Sequence, residues 1–209
     1  MRGILRRIGS LKGGEAGFRV AMRMAEFKAR GMQQSGELFK ELCFCLLTAN
    51  YSAEGGMRVQ EAIGNGFLSL PERALASRLK SLGYRFPNAR AKYICQARKH
   101  RHRLKSVLVA FPPEAVREWL ADNITGLGYK ESSHFLRNVG VDKFAIIDFH
   151  ILDLLSRHKL IKKPKSKSLN RRQYLEIERT LGEIASRSKI TQGELDLYLW
   201  YMETGKILK

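Results

Sequence analysis

Gly126, Gly128 and Lys130 follow one another at two-residue spacing in the stretch ITGLGYK, residues 124–130. A helical pattern ends near Asn123, and a second opens at Lys130. Two glycines so spaced admit positive φ and the close approach of another backbone. Ile124 and Leu127 are apolar and suited to pin such a turn to a core. The second helix points its free N–H groups and the positive end of its dipole at the turn. That arrangement takes one phosphate through main-chain donors, blind to base sequence, with the Thr125 hydroxyl as a further donor. The Lys130 amine at the helix mouth supports two chemistries, phosphate contact and nucleophilic attack. Spacing alone favours phosphate contact. Asp148, ahead of Phe149, His150 and Ile151, holds the natural N-cap position of a later helix. His134 lies four residues after Lys130 on the same helical face, where packing is the default reading; His150 is open to either role.

The elements that must carry these residues read as helices. Apolar periodicity predicts helices over 17–31, 37–50, 57–66, 71–82, 89–105, 113–123, 130–139, 149–158, 173–186 and 193–204. The segment 37–50 is apolar around most of its circumference, as a central buried helix is. Only 143–147 (KFAII) has strand character, and five residues make no sheet alone. The expected fold is all-α, with about nine or ten helices.

The chain has 209 residues, enough for one domain or two small lobes with a real core. Lys plus Arg number 38 against 20 Asp plus Glu, a net charge of +18. A field of that sign attracts polyanions, nucleic acid first and an anionic membrane surface second. Two stretches concentrate the charge. Residues 157–172 carry eight Lys or Arg and no acid, and read as a solvated loop. Residues 78–105 carry ten, again without acid, interleaved with Tyr84, Phe86 and Tyr93. Such interleaving either follows a phosphate backbone and stacks on bases, or is an amphipathic helix with core-facing aromatics. No apolar run approaches the roughly 20 residues of a membrane span. The basic N-terminus lacks the features of a signal peptide. Three cysteines, Cys43, Cys45 and Cys95, argue against a disulfide scaffold and for a reducing interior. An intracellular protein of the cytoplasm or nucleoid is expected.

The stretch ITGLGYK resembles the hairpin of the helix-hairpin-helix DNA glycosylases, apolar-x-Gly-apolar-Gly-x-Lys. That superfamily has an aspartate about twenty residues on, opening the next helix. Asp148 stands eighteen residues after Lys130, in AIIDFHIL. The lysine marks the bifunctional glycosylase/lyase branch. GYKESSHFLRNVG, GYRFPNARAKYI (residues 83–94) and the final WYMETGKILK (residues 200–209) are similar to the small, archaeal-type 8-oxoguanine DNA glycosylases, so the resemblance covers most of the chain.

The resemblance implies a helix-hairpin-helix fold of two helical lobes with the active site between them. One lobe is expected from 1–33 and 140–209, the other from 34–139, ending in the hairpin at about 124–130. Lys130 then displaces the base from C1′ through a Schiff base, and β-elimination nicks the strand. Asp148 stabilises positive charge on the sugar and helps to activate the amine. Phe86 and Trp200 are expected to stack on the extruded base, and Lys209 to read its edge through the terminal carboxylate. Asn50 fills the gap left by the flipped nucleotide. Arg85 and Asn88 contact the opposite strand, and Thr125, Gly126 and Gly128 hold phosphate. No metal or cofactor is implied. The partner is duplex DNA carrying an oxidised base, met by a monomer away from membranes.

Two readings compete. Another glycosylase of this fold would act on an oxidised pyrimidine. The cluster-bearing endonuclease III type is excluded, because no cysteine follows Cys95 to hold an iron–sulfur cluster. A non-enzymatic hairpin module, or a basic RNA-binding protein, would explain the charge but leave Lys130 and Asp148 together unexplained.

Overall fold

A computed structural model of the chain describes residues 1–164, 166 and 168–209. Lys165 and Lys167, within the basic stretch 157–172, lie outside the described residues. All regular structure among the described residues is helical. The chain divides into two compact units, Ala29–Val139, and Met1–Lys28 with Gly140–Lys209.

Unit Ala29–Val139 is built around one buried helix. In chain order α1 is Arg2–Lys12, α2 Glu15–Gly31 and α3 Ser35–Thr48. Every residue of α3 from Glu41 to Thr48 is buried, which explains its apolar circumference. Phe39, Leu42, Phe44 and Leu46 are fully enclosed; burial of such side chains stabilises by about 1.5–3 kcal/mol each. Around α3 pack α4 (Ala53–Ile63), the single turn α5 (Gly66–Ser69), α7 (Pro87–Ala97), a 3-10 helix (Arg98–Arg103), α8 (Leu104–Ala110) and α10 (Tyr129–Asn138). Helix α6 (Glu72–Ser81) packs on α7, and α9 (Pro113–Asn123) on α10. The one acid in the middle of α3 is matched by donors. Glu41 accepts from Asn138 at 2.7 Å and Gln60 at 3.2 Å, and pairs with Arg30; Arg137 in turn donates to Asn138. A buried carboxylate persists only when so satisfied.

The other unit holds α1, most of α2, α11 (Phe149–Arg157), α12 (Arg171–Ser188) and α13 (Gln192–Thr204). Helix α1 packs on α12, and α13 on both α11 and α12. Periodicity did not predict α1; only Ile4 and Ile8, one turn apart and fully buried, anchor it.

Three further expectations are corrected. The basic helix expected over 89–105 is three pieces, because the 3-10 segment RKHRHR buries none of its side chains and interrupts the α-helix. The glycine expected to end a helix at 66 instead begins α5; the stop is Gly64, at φ +52°. Residues 143–147 form no strand. Lys143 is exposed in a turn, Phe144–Ile147 are buried, and α12 side chains satisfy the backbone at Ala145 and Ile147: Glu178 accepts from the Ala145 N–H, while the Tyr174 hydroxyl donates to the Ala145 carbonyl and accepts from the Ile147 N–H. This clamp leads the chain to Asp148.

Cys43 and Cys45 are buried, Cys95 is half-buried, and all three are free thiols. Burial pushes the Cys43 thiol well above its ordinary pKa and raises that of Cys95.

Candidate active site

The glycine turn is held from both sides. Helix α9 ends with the Ile124 N–H on the Leu120 carbonyl, and the Leu127 N–H bonds to the Ile124 carbonyl. Ile124 and Leu127 are buried, while Thr125, Gly126 and Gly128 are exposed. The buried Arg117 of α9 braces the start of α10: its guanidinium lies 4.8 Å from the Tyr129 ring centre and donates to Ser133.

The two glycines serve differently. Gly126 has φ +93°, and a Cβ there would stand 2.7 Å from Cδ2 of Tyr93 and 3.1 Å from Leu46. Gly128 is extended, at φ −98°, and a Cβ on it would meet only the Glu131 carboxylate at 3.6 Å. Positive φ is thus required at one glycine of the two; Gly128 is exposed, with the Glu131 carboxylate beside it at the α10 N-terminus. Gly126→Ala is expected to cost at least about 2 kcal/mol, from the left-handed backbone plus displacement of Tyr93. A denaturant midpoint unchanged from wild type would contradict this.

Helix α10 starts at Tyr129, one residue before the predicted start, so Lys130 lies within the first turn. Its side chain is 28% exposed, with Nζ 3.1 Å from Glu131 Oε1. The other Glu131 oxygen accepts from the Gly128 N–H at 3.3 Å. Glu131 therefore ties the amine to the turn. Its place three residues after the cap was the available signal for it. His134 is buried edge-on against Phe44, centroids 5.6 Å apart, which is the packed role expected.

Helix α7 begins immediately after Phe86, and Arg85 lies over the Phe86 ring at 5.0 Å. Arg85, Phe86 and Asn88 are exposed together at this helix start. Of the three interleaved aromatics Phe86 is exposed and Tyr93 half-buried; Tyr84 is buried and cannot stack on a base. Asn50, just beyond the end of α3, is exposed and left-handed at φ +62°, a conformation that asparagine tolerates better than most residues.

In the other unit Asp148 caps α11, its Oδ1 accepting from the Ile151 N–H at 2.9 Å. Phe149, half exposed, lies against His150 with centroids 3.9 Å apart, and His150 meets Trp200 edge-on at 5.0 Å. The structure thus brings Trp200 and the Asp148 helix together through His150. It adds Phe149, whose position directly after the cap is its only mark in the sequence. Helix α13 stops at Gly205, left-handed at φ +71°; Ile207 is buried and Lys209 half-buried beyond it. Among the described residues no group of three or more His, Cys, Asp or Glu is arranged to hold a metal ion, and no helix is long and apolar enough to cross a membrane.

Residues 20–190 match the family model described as 8-oxoguanine DNA glycosylase. A relative named 8-oxoguanine DNA glycosylase/AP lyase, from Korarchaeum cryptofilum, is 52% identical over 200 residues, covering 95% of this chain and 94% of that protein. Another of the same name, from Methanocaldococcus jannaschii, is 49% identical and spans 99% of each chain. The crystal structure of the Methanocaldococcus jannaschii enzyme in complex with a 15mer DNA containing 8-oxoguanine matches with a TM-score of 0.95 at 48% identity, covering 98% of this chain and 99% of that one. With residues 20–190 matched by the family model and a 52% identical relative covering 95% of its length, this chain belongs to the helix-hairpin-helix 8-oxoguanine DNA glycosylase family.

Proposed function

We propose that this protein excises 8-oxoguanine from duplex DNA and cleaves the abasic strand, with Lys130 as nucleophile and Asp148 as its electrostatic partner. The observation that carries the assignment of roles is the amine held by Glu131 at the hairpin exit, in a chain of this family.

The hairpin would bind one backbone phosphate through main-chain N–H groups at the turn, with Thr125 beside it. The exposure of Thr125, Gly126 and Gly128 supports that use. Excision then requires the damaged nucleotide to leave the stack. The neutral Lys130 amine attacks C1′ as the C1′–N9 bond breaks, and the base departs with the bonding electrons and takes up a proton. Ring opening of the sugar leaves a Schiff base between Lys130 and C1′. Loss of a C2′ proton then expels the 3′ phosphate, which is the β-elimination. The Asp148 carboxylate offsets the positive charge that develops on the sugar as the base leaves. Phe86 and Trp200 are proposed to stack on the base and Lys209 to contact its edge. Arg85 and Asn88 would lie along the opposite strand. Asn50 would occupy the vacated place in the duplex. The protein is proposed to work as a monomer inside the cell; its free thiols support a reducing compartment.

Borohydride reduction on duplexes bearing a single lesion tests the reading. A covalent adduct is expected with 8-oxoguanine and none with undamaged DNA. An adduct confined to an oxidised pyrimidine would keep the chemistry and overturn the substrate. No adduct on any lesion, with DNA binding intact, would overturn the enzyme.

A further inference from the structure

The end of α3 is closed in an unusual way. No glycine follows it; the chain passes through Ala49 in an extended conformation to Asn50 at φ +62°. Helix-end carbonyls need partners, and here two buried side chains from around the start of α7 supply them. The Tyr84 hydroxyl donates to the Leu47 carbonyl at 2.7 Å, and the Arg90 guanidinium donates to the Ala49 carbonyl at 2.9 Å. The Tyr51 ring packs edge-on against Tyr84 at 4.6 Å. The peptide that leads into Asn50 is therefore gripped by a buried cation.

Arg90 has a second contact. Its guanidinium lies 5.5 Å from the ring centre of Tyr93, one turn along α7. The edge of that same ring fills the space that a side chain at Gly126 would need. One helix thus touches the Asn50 turn through Arg90 and the phosphate hairpin through Tyr93, and it carries Phe86 and Asn88 at its start. A guanidinium suits this position better than an ammonium, because its plane can face a ring while its edge donates.

We propose that Arg90, assisted by Tyr84, is a positioning residue that sets Asn50 in register with the hairpin, so that a duplex held by its phosphate at Gly126–Gly128 meets Asn50 at the base step to be vacated. This rests on the reading of Asn50 as the residue that enters the duplex. Arg90 acts through the stack and not through the sugar. Its loss therefore impairs base extrusion and leaves attack on an already extruded site intact. A hydrogen bond from a charged donor supports an effect of about tenfold or more.

The test uses the full chain and a duplex with 2-aminopurine beside a single 8-oxoguanine, whose fluorescence rises when the neighbouring base leaves the stack. Arg90→Lys keeps the charge but loses the planar contact with Tyr93. It is expected to cut both the fluorescence rise and single-turnover excision about tenfold, with borohydride trapping on an abasic oligonucleotide within about twofold of wild type. The deciding measurement is the same substitution in an Asn50→Ala background. A residue acting through Asn50 adds nothing there, whereas a merely structural one adds its full effect. Additive losses, or equal losses on the abasic substrate, overturn the proposal. Normal extrusion by Asn50→Ala alone would instead overturn the reading of Asn50 beneath it. Tyr84→Phe removes one hydroxyl from the same grip without touching the charge. If thermal melting shows Arg90→Lys to be unfolded, Tyr84→Phe carries the same comparison, with a smaller loss that again vanishes in Asn50→Ala.

Discussion

Lys130→Gln is expected to abolish the borohydride-trapped adduct and to slow excision of 8-oxoguanine by at least about a thousandfold. Glutamine retains length and hydrogen-bonding capacity, and the site is in the first turn of α10 with 28% of the lysine side chain exposed. The fold has little reason to change, since glutamine and lysine have similar helix propensity. What disappears is the amine. Without it no covalent bond to C1′ can form, and β-elimination loses its electron sink. Two readouts separate chemistry from binding. The trapped species should vanish, while affinity for a lesion duplex should move only by the loss of one cation, about 1 kcal/mol or less at an exposed position. Retained trapping with Lys130→Gln would transfer the nucleophile to another residue.

Asp148→Asn is expected to lower excision by about a hundredfold to a thousandfold with almost no loss of stability. The two effects come apart because Asp148 does two things. It caps α11 through the Ile151 N–H, and asparagine caps a helix nearly as well as aspartate. Its negative charge is what asparagine lacks. A variant that folds with an unchanged denaturation midpoint but turns over slowly assigns the loss to charge. Asp148→Ala serves as the contrast, losing the cap as well and about 1 kcal/mol of stability with it. Full activity in Asp148→Asn would reduce Asp148 to a helix cap.

Much of this was legible because the chemistry is local in sequence. The hairpin, its lysine and the start of α10 fall within seven consecutive residues, and the capping position of Asp148 is set by its own neighbours. The central burial of α3 was equally plain from its apolar circumference. Distant pairs of residues were not legible. KFAII has the composition of a strand, yet its backbone is satisfied by Tyr174 and Glu178, about thirty positions on, and no local pattern announces that partnership. For Tyr84 and Tyr93 the sequence left open a stacking surface beside the arginines or a core-facing role. Tyr84 bonds the end of α3 and Tyr93 fills the space beside Gly126. The short α1 escaped because two isoleucines among arginines make a thin stripe, sufficient only when α12 is there to cover it.

The thiols have a consequence for a protein of this family. Guanine becomes 8-oxoguanine through oxidants, and the same oxidants attack cysteine in its thiolate form. Cys43 is sealed within α3, and burial holds both it and Cys95 towards the protonated form. The burial that fixes Cys43 in α3 and partly covers Cys95 therefore disfavours, at these two positions, the thiolate that oxidants attack.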